Sequence, residues 1–134
     1  MRIIGFNLTK ILVEKLEKID ENIQITQNID IKNILEEDIK IPKNKIIKLV
    51  FGLKIDYSKN YGKIDFEGNI LILPEGDDID KILESWKSKK IPENMRIPIF
   101  NFIMNKCNIK ALYLEDEIGL PLHIPMPKVS VSNK

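Results

Sequence analysis

From Lys45 to Ser58 apolar and polar positions alternate, with Ile47, Leu49, Phe51, Leu53, Ile55 and Tyr57 on one side and Lys48, Lys54 and Asp56 on the other. Alternate side chains of a strand point to opposite faces, so this period of two predicts a half-buried strand. After Ser58, Lys59 and Asn60, which suit a turn, the run Tyr61 to Leu73 repeats the pattern, with Ile64, Phe66, Ile70 and Ile72 on the apolar side and Lys63, Asp65, Glu67 and Asn69 on the polar one. The two runs predict a hairpin. Gly68 interrupts the apolar side of the second strand, where a missing side chain marks a bulge or a close approach of another group.

Upstream, Ile23, Ile25, Ile29 and Ile31 share one parity with Gln27 between them, which predicts a third strand. The opening segment gives a fourth: Ile4, Phe6 and Leu8 share a face, then the apolar set changes parity to Ile11 and Val13, as a bulge near Lys10 would produce. Ile34 to Asn44, with Glu36, Glu37, Asp38 and Pro42, keeps neither period and is predicted as a polar connection.

The period changes beyond Pro74. Asp77, Asp78 and Asp80 precede Ile79, Ile82, Leu83 and Trp86, which predicts a short helix over about Asp78 to Lys89 with its acidic residues at the positive end. After Pro92 and Glu93, the residues Phe100, Ile103, Met104, Cys107, Ala111, Leu114 and Ile118 recur every three or four, giving a long helix closed near Gly119, with Pro98 kinking or starting it. A different stripe, Ile99, Phe102, Ile109, Leu112 and Tyr113, is apolar too, and since one sheet covers one side of a helix it is expected to face another subunit. The tail from Leu120 to Val129, with Pro121, Pro125 and Pro127, is predicted to be extended. Four strands followed by two helices and a proline-rich tail give an α+β fold built on a four-stranded antiparallel sheet, as a single domain over residues 1–134.

Composition narrows the function classes. A length of 134 residues with 43% hydrophobic content suffices for one core. Lys and Arg number 21 against 20 Asp and Glu, a net charge of +1, so a phosphate-neutralising nucleic-acid surface is not expected. The longest uncharged run, Ile118 to Pro127, contains Pro121, Pro125 and Pro127 and falls short of the roughly 18 residues a membrane helix needs, so no membrane insertion is expected. The N-terminal stretch, broken by Gly5 and Asn7, does not read as a secretion signal, and a single cysteine fits a reducing, cytoplasmic setting.

The candidate chemistry is thin. Gly62-Lys63 begins a strand without the upstream glycine of a phosphate-binding loop. Cys107 lies on an apolar helix stripe, where a lone thiol acts as a small hydrophobe, and His123 has no Cys, His or acid at ligand spacing in the tail, so it reads as a packed or surface histidine. Asp77, Asp78 and Asp80 fit a helix start, while Glu115, Asp116 and Glu117 read as a solvated helix end that opposes the dipole. Trp86 reads as a core anchor. No nucleophile, acid and base fall together, so no enzymatic activity, metal or cofactor is expected.

The order of elements and several local patterns resemble the SecB family of export chaperones and their SecB-like archaeal relatives. The suggestive stretches are the strand pair Lys45 to Tyr57 and Gly62 to Leu73, the Pro98-Ile99-Phe100-Asn101 segment of the long helix, and the closing Gly119-Leu-Pro-Leu-His-Ile-Pro-Met-Pro127. The resemblance implies a dimer or dimer of dimers that holds non-native polypeptides in apolar grooves, with no cofactor. It further implies a groove-lining role for Phe100, Phe102, Leu120, Leu122, Ile124 and Met126. The chain departs from the family in a longer helix, an almost absent polar tail and a sheet face that mixes Lys with acid in place of an acidic docking patch. The expected function is a holdase for unfolded or extended polypeptides, assembled as a homo-dimer or homo-tetramer. The alternative from another class is an adaptor subunit of a larger assembly, in translation or RNA processing, without client holding.

Overall fold

A computed structural model describes residues 1–16, 22–40 and 43–131, with the side chains of residues 39, 40, 43 and 44 outside the description. Strands β1 (Arg2–Lys15), β2 (Ile25–Lys40), β3 (Lys43–Tyr57) and β4 (Gly62–Leu73) precede helices α1 (Asp78–Lys87) and α2 (Glu93–Ile118). The strands form one antiparallel sheet in the order β1-β4-β3-β2, so β2, β3 and β4 make a meander and β1 closes on the far side of β4. This is the α+β arrangement that the periodicity predicts, with both helices after the sheet.

The alternation in β3 and β4 has the expected cause. Ile47, Leu49, Phe51, Leu53, Ile55 and Tyr57 are all buried, as are Ile64, Phe66, Ile70 and Ile72 across the register Leu53↔Phe66 and Ile55↔Ile64. Each such side chain contributes roughly 1.5–3 kcal/mol by leaving water. Gly68 pairs with Leu8, where the β1 register slips between Leu8 and Lys10. A side chain at Gly68 would overlap the Asn7 carbonyl oxygen, so the glycine and the β1 bulge are two halves of one close approach.

The described residues of the segment Ile34 to Asn44 are strand and not a polar connection. Strand β2 runs on to Lys40 and pairs with β3 as far as Lys40↔Lys43, while Pro42 lies outside the described residues. The reason is a bulge between Ile31 and Asn33, which shifts parity so that Ile34 rejoins the buried face opposite Leu49. Beyond it β2 is an edge strand with water on both sides, so acidic residues are tolerated there, and Glu36 pairs with Lys45 at 2.9 Å.

The face of the sheet away from the helices is polar over β1 and β4 and mixes signs. Lys10 meets Asp65 at 3.1 Å and Lys32 meets Glu67 at 2.6 Å. The Lys32–Glu67 hydrogen bond raises the lysine pKa and lowers that of the glutamate.

Helix α2 begins at Glu93 and continues through Pro98. Its buried residues form a row spaced by four, Met95, Ile99, Ile103, Cys107, Ala111 and Glu115, which drifts around the helix as α2 crosses the sheet. Ile99, assigned by the spacing to the outward stripe, therefore belongs to the core. Phe102 of the same stripe also turns inward, with its ring edge-on to Phe6 at 6.1 Å between centroids. What remains outward is Ile109 and Tyr113, 71% and 60% exposed, with Leu112 half-buried. Helix α1 is as predicted apart from ending at Lys87, and Asp78 at its start accepts the Glu75 N–H at 3.2 Å.

Candidate functional site: the tail and the polar clamp beneath it

The end of α2 decides where the tail goes. Gly119 takes the left-handed conformation (φ 76) that a side chain would strain, and the Leu120 N–H donates to the Glu115 carbonyl at 2.9 Å, turning the chain back over the sheet. Leu120 is buried against Gly62 and Tyr57, where a Cβ on Gly62 would stand 2.6 Å from the leucine Cδ2. The absent side chain at Gly62 is the space that Leu120 fills.

The Glu115 side chain is wholly buried, at 0% exposure, which costs several kcal/mol unless the carboxylate is partnered. It is. The Tyr57 hydroxyl donates to Oε2 at 2.6 Å, with the Pro121 carbonyl a second acceptor at 2.7 Å. The His123 backbone N–H donates to Oε1 at 3.3 Å, and His123 Nδ1 lies 2.9 Å from each carboxylate oxygen. On the other side of the ring, Nε2 is 2.9 Å from Asn108 Oδ1, and Gln27 Nε2 donates to that oxygen at 2.8 Å. Burial, then the hydrogen bond to Glu115, pushes the Tyr57 phenol far above its ordinary pKa, so it stays a donor at any physiological pH.

This cluster overturns the reading of Glu115 as part of a solvated helix end. It sits at the last position of the buried α2 row, and its charge meets a hydroxyl and an imidazole there instead of water. Of the packed or surface histidine expected, His123 is the packed one, and its role is to tie the tail to α2. Two signals for the cluster stand in the sequence: Gln27 is the polar exception on the apolar parity of β2, and Glu115 falls four residues beyond Ala111.

The six residues singled out for a groove are dispersed. Phe100 is half-buried and lines a recess towards β2, whereas Phe102 points to Phe6 on β1. Leu120 is a core residue that anchors the tail. Leu122 and Met126 are exposed and Ile124 is half-buried, along a tail that is pinned at His123 and bends at His123 and Ile124. The acid–imidazole pair beneath them is closed to solvent, and burial pushes the Cys107 thiol up to about 12, which keeps it protonated and unreactive. Among the described residues no helix is long and apolar enough to cross a membrane.

No protein-family model matches the chain, and no curated protein matches it in sequence. A similar solved structure is that of the Mycobacterium tuberculosis SecB-like chaperone Rv1957 in complex with a ChAD peptide from the HigA1 antitoxin. The likeness covers 98% of this chain and 91% of that one at 12% identity, with a TM-score of 0.54. What the two share is the fold, and this chain has the four-stranded sheet and following helices of a SecB-like α+β architecture.

Proposed function

We propose that this chain is a non-enzymatic, chaperone-like holdase that binds non-native polypeptides through apolar surface on its tail and helices. The observation that carries the reading is surplus apolar surface beside a closed core. Ile109, Tyr113, Leu122 and Met126 remain exposed although the sheet is already covered. The strip of Leu122, Ile124 and Met126 bends at His123 and Ile124 and is pinned at His123 by Glu115, so a client meets a partly preformed surface and less ordering entropy opposes binding. The neighbour of like fold was solved with a peptide bound, which supports polypeptide as the ligand class. Ile109 and Tyr113, one turn apart on α2, suit a second copy of the chain, giving a homo-dimer or homo-tetramer. A cytoplasmic setting goes with this reading.

The test is suppression of aggregation of a chemically denatured substrate by stoichiometric protein. Holding by the intact chain, weakened by Leu122→Ser with Ile124→Ser while circular dichroism and light scattering stay unchanged, is the expected result. Failure to slow aggregation, together with co-purification in one defined complex, would instead identify an adaptor subunit. Loss of assembly in the double variant would assign the strip to an interface.

A further inference from the structure

The corner between α1 and α2 faces the free edge of β2, and a recess of about 430 Å³ opens there. Its floor is apolar, formed by the partly buried Trp86, Ile31 and Phe100. Its rim is cationic: Lys89, Lys90 and Arg96 stand against a single acid, Asp30. These charges come from the two elements and the corner that enclose the recess. The corner is held by hydrogen bonds from the Lys89 N–H to the Trp86 carbonyl at 2.8 Å and from the Lys90 N–H to the Ser85 carbonyl at 3.1 Å. Lys89 adopts the left-handed conformation (φ 57), which brings its ammonium to 4.7 Å from the centre of the Trp86 ring. Among the described residues Arg96 is paired with Glu93 alone, at 4.0 Å with both side chains exposed, so its fork remains available.

Three features coincide here. Among the described residues β2 is an edge strand whose outward N–H and C=O groups have no neighbouring strand in the sheet, so an extended peptide can add to it. Asp30 and Ile31 of that edge belong to the recess, which places an apolar floor where a side chain of the added strand would descend. The excess of cations on the rim repels a basic flank and attracts an acidic one.

We infer that this recess selects, among extended polypeptides, segments in which an aromatic or large aliphatic residue is flanked by carboxylates. The inference rests on the polypeptide-binding reading above and deepens it, by giving the client a charge preference and a second seat besides the tail strip.

Trp86 is the sole tryptophan of the chain and reports on the recess directly. The experiment titrates the full chain with a Phe-centred peptide flanked by Glu, and with its twin carrying Lys in place of each Glu. Trp86 emission is followed at low salt and again at about 0.5 M, where charges are screened within a few Å. The acidic peptide is expected to bind about five- to tenfold tighter at low salt, to shift Trp86 emission, and to lose most of that advantage at high salt. Lys90→Glu with Arg96→Glu, both exposed positions, should reverse the preference without altering the circular dichroism spectrum. Equal binding of the twins, tighter binding of the Lys peptide, or binding that leaves Trp86 emission unchanged overturns the inference. If the peptides fail but the denatured substrate is still held, the recess is wrong and the holdase reading stands. If neither is held, both fall.

Discussion

Replacing Glu115 by Ala would remove the hub of the clamp while leaving every strand and helix contact in place. Tyr57 keeps an acceptor in the Pro121 carbonyl, but the His123 backbone N–H and Nδ1 lose their carboxylate inside the protein. Removing one partner of a buried pair costs about 3–5 kcal/mol, most of it from polar groups left without hydrogen bonds. A domain of this size has roughly 5–15 kcal/mol in total, so the loss is a large part of it and corresponds to a fall in Tm of about 10–20 °C. Urea unfolding followed by Trp86 fluorescence and by far-ultraviolet circular dichroism measures it, with an unchanged m-value showing that stability alone has moved. His123→Ala and the double variant complete a cycle in which a coupling of about 1–3 kcal/mol is expected between the two side chains. A Glu115→Ala protein within 1 kcal/mol of the parent, or a coupling near zero, would refute the clamp as the tail's anchor.

Four further outcomes follow from the packing. Gly68→Ala should cost about 2–4 kcal/mol in denaturant unfolding, because the new methyl overlaps backbone at Asn7 and no rotamer relieves it; a neutral effect would show that the β1 bulge is free to move. The Cys107 thiol should react with a disulfide reagent at pH 8 only as fast as the protein opens, and at once in denaturant, since it is buried with its pKa pushed up to about 12. Both Cys107 and Tyr57 are raised in the folded state, so their contribution is complete below about pH 9 and is lost as pH rises beyond it, when the unfolded chain ionises first; the midpoint of urea unfolding should fall between pH 9 and pH 11. Ile109→Ser with Tyr113→Ser should lower the mass measured by light scattering if a second copy covers this stripe, and an unchanged mass would remove α2 from the interface.

The sheet was legible where a strand has one wet face and one dry face. β3 and β4 alternate because helices cover only one side of them, and the parity change at Lys10 marks a real slip in register. The same kind of parity change, from Ile31 to Ile34, marks the bulge in β2, but the acidic residues after it belong to an edge with no buried face to impose a pattern. Helix α2 was legible in extent and less so in orientation. A long helix crossing a twisted sheet turns successive faces inward, so a fixed stripe misplaces residues such as Ile99 at one end. The clamp was hidden for another reason. Burial of a charge depends on partners far apart in the chain, and although the spacing from Ala111 places Glu115 on the buried row, it does not show that Tyr57 and His123 wait for it.

The position of β1 has a consequence for biosynthesis. Its register runs from Arg2↔Leu73 to Lys15↔Gly62, whereas β2 pairs with β3 and β3 with β4, each the next strand along the chain. Of the four strands of the sheet, the first to be synthesised is thus the last to find its neighbour, and at ~5–20 residues per second it waits roughly 3–12 s for β4 to be made. For that interval the nascent chain displays an unpaired, partly greasy ribbon. A protein proposed to shelter unfinished polypeptides begins life as one of them.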